Sequence, residues 1–345
     1  MFGVGVILGA TLASILGHHY GRRLCLMLLA VADLASWVMM ASSTKTWMMV
    51  ASRLLSGCAG GGYLLSIQVY VGEITSLDQR AWLLALSAPM TALGVLTMQV
   101  STSLLSWPCT AATCSILPLL LLLSISFYWE TPYWLAQSSS PHLARQALSQ
   151  YRGLELDCQE VEVELNKILQ QQTQHCGLST GRIITQIFSE KKYFKPFLIL
   201  NSLNLLVLLC GKFAMDYYIV EVFMHFGSDL SEDLAVIISA LLTLLASLTL
   251  LPLVRWMARK SLLCLTSAVM GFSLLLLGFC SYSHHHAIEL IKDCDWLPIS
   301  CAVSYILATN MGLSALPNIF ISEFYPSHVS YTIYSIYFYG NTTLL

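Results

Sequence analysis

Charged residues occur within apolar stretches of the sequence, where burying a charge is costly and the residue usually has a function. Asp33, Arg53, Lys212 and Asp216 are among them. A charge at the centre of a membrane helix costs about 2.5–3.5 kcal/mol on insertion scales, so such residues usually line a pathway or pair with a partner. Lys212 and Asp216 are four residues apart and share a helix face. They could neutralise each other or contact a polar or charged substrate.

Other reactive residue types do not form a recognisable centre in the sequence. The eleven cysteines are scattered, with no pair at metal-ligand or redox spacing. His284–His286 has no other ligand cluster near it in sequence, which favours a solvated loop over a metal site. There is no nucleophile beside a general base and no phosphate-binding loop. The sequence therefore predicts no catalytic residues, no metal and no cofactor, so the protein is not expected to be an enzyme.

The elements that carry these residues read as membrane helices. Of 345 residues 56% are hydrophobic and 10% charged, against about 25% charged in a soluble domain. A net charge of −2 gives no indication of a nucleic-acid partner. Apolar runs near the length of about 20 residues that a spanning helix needs occur ten times, and the last is short. They are Met1–Gly17, Leu24–Ser42, Trp47–Tyr70, Trp82–Leu105, Thr110–Tyr128, Phe197–Phe223, Leu234–Val254, Leu262–Ser281, Trp296–Ile321 and Tyr331–Leu345.

The distribution of basic residues predicts the orientation of these helices. If the segments alternate, Lys45 and Lys292 lie on one side and a much larger group lies on the other. That group is Arg22, Arg23, Arg80, Arg145, Arg152, Lys167, Arg182, Lys191, Lys192, Lys195, Arg255, Arg259 and Lys260. The long polar stretch Glu130–Lys195 is therefore predicted to be cytoplasmic. Within it, His142–Arg152 and Asp157–Gln171 read as short surface helices.

Several motifs occur in a characteristic order along the chain. They are Gly17–Arg23 (GHHYGRR), the group Arg53, Gly57, Gly60, Gly61 and Gly62, then Tyr70, Glu73 and Arg80, Glu130–Leu135 (ETPYWL), Tyr151–Gly153, the group Gly211, Tyr218 and Phe223, and the group Pro317, Ser322, Glu323 and Pro326. Together they resemble the sugar porters of the major facilitator superfamily, and among these the insect facilitated trehalose transporters. The resemblance covers nearly the whole chain.

The resemblance implies the major facilitator fold, an all-α membrane protein with two helical bundles joined by a cytoplasmic loop. About ten of the family's twelve transmembrane helices are expected in this chain. Residues 1–128 would hold family helices two to six, residues 129–192 the loop with its surface helices, and residues 193–345 helices seven to eleven, the last incomplete. The implied partners are the lipid bilayer and a small-molecule substrate, with no obligate protein partner evident.

The resemblance also implies a function. It implies a multi-pass plasma-membrane protein that transports a sugar such as trehalose or a hexose by alternating access, as a facilitator or coupled to protons. In the family, cytoplasmic charged pairs close the inner gate between the bundles, and in proton-coupled relatives the residue matching Arg53 pairs with a carboxylate on the first helix. The candidate gating residues are Arg22, Arg23, Arg53, Glu73, Arg80, Glu130, Arg259, Lys260 and Glu323.

The substrate-binding candidates lie on family helices seven and ten, where the chain departs from the family pattern. The candidates are Gly211, Lys212, Phe213, Asp216, Tyr218 and Asn318. Val207, Leu208 and Phe213 stand where sugar porters carry amide side chains that bond sugar hydroxyls, and Asn318 stands in place of a Trp. These departures leave two alternatives open: a carrier of a different small polar or organic-ion substrate, and a truncated homologue that does not transport.

Overall fold

A computed structural model shows an all-α chain over the residues it describes, which are all except 139, 157, 176–188, 213, 216–217, 219–220, 222–230, 286–295, 313–315, 318–319 and 321–345. The helices of this part are α1 Phe2–His19, α2 Arg22–Ala41, α3 Thr46–Ile74, α4 Leu77–Ala85, α5 Ser87–Leu104, α6 Trp107–Cys114, α7 Ile116–Phe127, α8 Pro132–Gln137, α9 Pro141–Arg152, α10 Gln159–His175, α11 Lys191–Leu209, α12 Glu232–Trp256, α13 Arg259–His285 and α14 Trp296–Met311.

Seven stretches of helix in the described residues are long and apolar enough to cross a membrane. They are Phe2–His19, Arg22–Ala41, Thr46–Ile74, Trp82–Leu104, Trp107–Phe127, Asp233–Val254 and Arg259–Ser283. Each coincides with a segment predicted from the sequence. Two further apolar helices, Phe194–Val207 and Trp296–Met311, are shorter than their predicted segments, parts of which lie outside the described residues. The predicted segment Tyr331–Leu345 lies wholly outside them.

Two of these spans are interrupted by a proline. Pro89 lies one turn beyond the break between α4 and α5, and Pro118 lies one turn beyond the break between α6 and α7. A proline has no backbone N–H, and its ring collides with the carbonyl of the fourth residue before it. That residue is Ala85 in the first case and Cys114 in the second, the last helical residue before each break. The sequence therefore accounts for both interruptions.

The chain divides into two compact units, and the first is built on close helix packing. Unit 1 comprises Met1–Leu84, Ser106–Asn201 and 321–345, the last outside the described residues. Within it α3 packs against both α1 and α2. A Cβ atom on Gly5 or Gly9 of α1, or on Gly57 or Gly61 of α3, would collide with backbone atoms of the facing helix. The glycines therefore allow the two backbones to approach closely.

The three short helices that follow α7 form their own small core in unit 1. Leu148 and Ala144 of α9 pack with Leu135 of α8 and with Val161 and Ile168 of α10. Proline starts both α8 and α9, and α9 ends at Gly153, which has a φ of 65°. The predicted surface helices His142–Arg152 and Asp157–Gln171 correspond to α9 and α10, and both predictions are confirmed.

Unit 2 comprises Ala85–Leu105 and Ser202–Phe320. In it α12 packs against α5 and α14, and α13 packs against α14. One apolar cluster joins Leu250 and Val254 of α12 to Leu262 of α13. The division into bundles at residues 128 and 193 stays a prediction, and in the structure α5 (Ser87–Leu104) belongs to the same compact unit as α12.

Candidate functional site

A buried ion pair connects two of the predicted gating residues. Arg22, the first residue of α2, places its Nη2 atom 3.1 Å from Oε1 of Glu73, in the last turn of α3. The Arg22 side chain is 11% exposed and that of Glu73 is 4% exposed. Arg22 Nη1 also donates to the carbonyl oxygen of Gly17, in the last turn of α1, at 3.0 Å. This one guanidinium therefore joins the ends of three helices.

Glu130 acts on the backbone of α2 rather than on an arginine side chain. Its carboxylate accepts hydrogen bonds from the backbone N–H groups of Arg22 at 2.9 Å, Arg23 at 3.0 Å and Thr131 at 3.0 Å. The first N–H groups of a helix have no intrahelical partner, and the helix dipole favours an anion there. Gly21 precedes this site with a φ of 101°, and a Cβ on it would collide with the Glu130 carboxylate. Glycine satisfies both constraints.

Arg23 binds the C-terminal end of α7. Its Nε atom donates to the carbonyl oxygen of Ile125 at 3.2 Å, and its Nη2 atom donates to that of Ser126 at 2.6 Å. Both carbonyls belong to the last turn of α7, where unpaired acceptors and the negative end of the dipole favour a cation. Among these candidates, only Arg22 and Glu73 form a side-chain ion pair between them in the described residues.

A second charged contact involves a residue that the sequence suggested only as part of a motif. Arg152, at the end of α9, binds Glu164 of α10 through two hydrogen bonds, Nε to Oε2 at 3.0 Å and Nη2 to Oε1 at 2.7 Å. Its Nη1 atom donates to the carbonyl oxygen of Ile74, the last residue of α3, at 2.9 Å. The hydrogen bond with Glu164 raises the pKa of Arg152. No sequence spacing links these three residues.

Two tyrosines support the same junction. The hydroxyl groups of Tyr70, on α3, and Tyr151, on α9, lie 2.9 Å apart. Tyr70 Oη lies 2.8 Å and Tyr151 Oη 2.6 Å from the carbonyl oxygen of Trp129, to which each can donate. We call Arg152, Glu164, Tyr70, Tyr151 and the carbonyl groups of Ile74 and Trp129 the α3–α9 junction. It holds the surface helices against the end of α3.

For three of the remaining gating candidates, the structure gives the position and the surroundings or exposure of the side chain. Arg80 lies near Tyr133 of α8, where burial raises the pKa of the tyrosine hydroxyl and the charge of Arg80 opposes that shift. Arg259 and Lys260 begin α13 in unit 2, with Arg259 partly buried and Lys260 exposed. Glu323 lies outside the described residues.

The substrate-binding candidates follow the end of α11. Gly211 has a φ of 73°, a left-handed conformation that cannot continue the helix. The next residue, Lys212, is partly buried. Tyr218 is 57% exposed. Phe213, Asp216 and Asn318 lie outside the described residues, so the predicted pairing of Lys212 with Asp216 stays a prediction.

Val207 has a packing role where sugar porters carry an amide. It is 9% exposed and packs with Met270 of α13 and with Tyr305 and Ala308 of α14. An amide at this position would have to find hydrogen-bond partners inside an apolar cluster, and a buried polar group without them is costly. This side chain is therefore part of the core of unit 2.

Asp33 and Arg53, the charged residues inside α2 and α3, line one cavity of unit 1, of about 190 Å³. No cluster of three or more His, Cys, Asp or Glu side chains that could hold a metal ion occurs among the described residues. His284 and His285 end α13, while His286 lies outside the described part of the chain.

The comparison with known proteins agrees with this arrangement of helices. The family model described as "Sugar (and other) transporter" matches residues 1–344. The chain belongs to the sugar transporter family. It is 28% identical over 312 residues to the facilitated trehalose transporter Tret1-2 homolog of Drosophila sechellia, which covers 90% of the chain and 63% of that protein. It is 29% identical to facilitated trehalose transporter Tret1 of Polypedilum vanderplanki, over 90% of the chain and 61% of that relative.

Solved structures establish the fold of this sugar transporter family member. The proton:xylose symporter XylE bound to 6-bromo-6-deoxy-D-glucose superposes with a TM-score of 0.83 at 19% identity, covering 99% of the chain and 75% of XylE. The inward-open conformation of XylE from E. coli superposes with a TM-score of 0.72 at 17% identity, over the same shares of the two chains. The predicted major facilitator fold is confirmed, and the chain is an integral multi-pass membrane protein. It spans 63% and 61% of the length of these two trehalose transporters, which is less than two thirds of each.

Proposed function

We propose that this chain belongs to a carrier that moves a small sugar such as trehalose or a hexose across the plasma membrane by alternating access, as a facilitator or coupled to protons. The observation that supports this most is the family match over residues 1–344. The curated relatives that resemble the chain are named as trehalose transporters.

The charged contacts of unit 1 suit the moving part of such a carrier. Alternating access is largely a rigid-body movement of one bundle against the other around a fixed site. Arg22 joins the ends of α1, α2 and α3, while Glu130 and Arg23 join α2 to the end of α7. These contacts hold the four helices together at one end, which we propose is the cytoplasmic end. In this proposal Arg259, Lys260 and Glu323 are further charged residues of the cytoplasmic gate.

A second substrate class is favoured by two observations. Val207 is buried in an apolar cluster where sugar porters have an amide, and the partly buried Lys212 follows it closely in the same region. A site in which an apolar side chain replaces one hydrogen-bonding amide and a lysine lies nearby suits an organic anion better than a neutral polyol, because each buried polar group must be paired. The second candidate function is therefore a carrier of a small organic ion.

Uptake into liposomes that contain the purified chain tests both functions. Radiolabelled trehalose, glucose and a small organic anion would be offered separately, with empty liposomes and a Lys212→Met variant as controls. Saturable uptake of trehalose or glucose that unlabelled sugar inhibits supports the first function. Saturable uptake of the organic anion alone, abolished in Lys212→Met, supports the second. The absence of saturable uptake of any of the three contradicts both. Surface biotinylation of intact cells tests the plasma-membrane location.

A further inference from the structure

The cavity of unit 1 has charged residues of opposite sign in its wall. It lies between α2 and α3, and its lining includes Asp33, Trp37 and Met40 on α2 and Arg53 and Tyr63 on α3. Asp33 is the only carboxylate in the described candidate spans that lies more than one residue from the end of its span. A charge at such a depth usually serves a ligand or a partner.

The two charges stand at opposite ends of the cavity. The Oγ atom of Ser52, next to Arg53, lies 3.7 Å from Met40 Sδ, so Met40 and Arg53 lie at about the same height along the two helices. Asp33 precedes Met40 by seven residues on the same helix, a separation of about 10 Å along the axis. The ion pairs of the described residues include none between Asp33 and Arg53. The two charges therefore do not neutralise each other directly.

The Asp33 end has the chemistry of a cation site. Ser36 and Trp37 of α2 and Tyr63 of α3 line the cavity together with Asp33. The buried hydroxyl of Tyr63 has no hydrogen-bond partner among the described residues. A carboxylate in a cavity that Trp and Tyr side chains also line attracts an ammonium group. The free Tyr63 hydroxyl adds one more polar contact for such a group.

The Arg53 end has the chemistry of an anion site. The Ser56 hydroxyl donates to the backbone carbonyl of Arg53 at 3.2 Å, and the Ser52 hydroxyl donates to that of Met49 at 2.9 Å. With those donors occupied, the guanidinium of Arg53 is the group left to bind a ligand here. Its planar fork of N–H donors matches the two oxygens of a carboxylate.

We propose that this cavity binds a small zwitterion of amino-acid size, with its ammonium group at Asp33, Trp37 and Tyr63 and its carboxylate at Arg53. A volume of about 190 Å³ accommodates such a molecule. A neutral sugar brings no charge to balance either end, whereas a zwitterion balances both. The site lies in unit 1, apart from the substrate candidates at residues 211–218 of unit 2, so this inference does not rest on the proposed transport function.

Calorimetric titration of the purified 345-residue chain in detergent tests the proposal. The probes are glycine, β-alanine and γ-aminobutyrate, with propylammonium and propionate as the two half-ligands and trehalose as the neutral ligand. At least one zwitterion should bind saturably, about tenfold or more tighter than either half-ligand, because charged hydrogen bonds form at both ends. This comparison uses the unaltered chain and does not depend on the folding of any variant.

Variants then test which end of the cavity binds the ammonium group and which binds the carboxylate. Asp33→Asn and Arg53→Gln should each weaken zwitterion binding about tenfold or more, since each removes one charged contact. Asp33→Asn should retain weak binding of propionate, and Arg53→Gln should retain weak binding of propylammonium. Asp233→Asn and Lys45→Gln, which remove exposed charges elsewhere, should leave affinity unchanged. The proposal is overturned if no zwitterion binds saturably, if trehalose binds equally well, or if folded Asp33 and Arg53 variants bind like the unaltered chain.

Discussion

At the scale of single residues, Glu73 and Arg22 form the most buried charged contact of unit 1. Removing one partner of a buried pair leaves the other charge unpaired, which costs about 3–5 kcal/mol. We therefore expect Glu73→Gln to lower the melting temperature of the purified chain strongly. The double variant Arg22→Gln, Glu73→Gln should recover part of that loss, because no unpaired charge remains.

A more exposed ion pair, Arg145–Glu162, supplies the control for these Arg22 and Glu73 variants. Arg145 and Glu162 lie 3.5 Å apart, with side chains 29% and 58% exposed. Exposed pairs contribute about 0–1 kcal/mol, so Arg145→Gln should change the melting temperature little. Equal destabilisation by Glu73→Gln and Arg145→Gln would contradict the assignment of a special role to the buried pair.

Glu130 gives a second prediction at this scale. Its carboxylate accepts backbone N–H groups at the start of α2. Glu130→Gln keeps the shape and one acceptor oxygen but loses the negative charge that the helix dipole favours. The loss should cost about 0.5–2 kcal/mol, measured as a lower thermal midpoint. Glu155→Gln, an exposed change that lies outside any described helix, is the control and should leave the midpoint unchanged. An unchanged midpoint in Glu130→Gln would mean that the charge at the α2 terminus is not stabilising.

At the scale of elements, the packing of α1 on α3 depends on glycines. A Cβ on Gly9 would meet the backbone of Cys58, whereas a Cβ on Gly3 of the same helix has open space. Gly9→Ala should therefore destabilise the chain by about 1–3 kcal/mol through overpacking. Gly3→Ala should be neutral or slightly stabilising, because alanine favours a helix by up to about 1 kcal/mol over glycine. Similar melting temperatures for the two variants would refute close α1–α3 packing.

The α3–α9 junction gives another prediction at the scale of elements. Arg152→Lys keeps the charge but cannot form both hydrogen bonds to Glu164 while also reaching the Ile74 carbonyl. We expect faster amide hydrogen exchange across α9 (Pro141–Arg152) in this variant, with α12 and α13 unaffected as internal references. Lys167→Arg, an exposed change on the neighbouring α10, should leave exchange in α9 as it is. Unchanged protection of α9 in Arg152→Lys would show that the junction does not hold this helix.

At the scale of the whole molecule, the orientation of the chain can be tested with two exposed lysines. Lys45 precedes α3 and Lys167 lies on α10, and the distribution of basic residues predicts that they face opposite sides of the membrane. In a cysteine-free background, a membrane-impermeant maleimide should label Lys45→Cys in intact cells. It should label Lys167→Cys only after permeabilisation. Labelling of Lys167→Cys in intact cells would invert the topology and remove the proposed cytoplasmic gate.

The class of the fold and the position of most helices can be predicted from the amino-acid sequence. Seven predicted spans and both surface helices occur in the structure. The reason is that these features have local causes. The length of an apolar run sets a spanning helix, and a proline interrupts it one turn upstream, as at Pro89 and Pro118. The order of the family motifs along the chain predicted, in addition, that these helices adopt the major facilitator fold.

The partners of the charged side chains depend on how the helices pack and could not be predicted from the sequence. Glu130, a candidate residue of the inner gate, accepts hydrogen bonds from the backbone at the start of α2, 108 residues earlier. Arg152 bridges α10 and the end of α3, and Asp33 and Arg53 share a cavity without pairing. Such partners depend on which helix ends and faces meet, and residue spacing along one helix carries no information about a neighbouring helix. Side-chain types could therefore identify the charged candidates, while their contacts required the packed bundle.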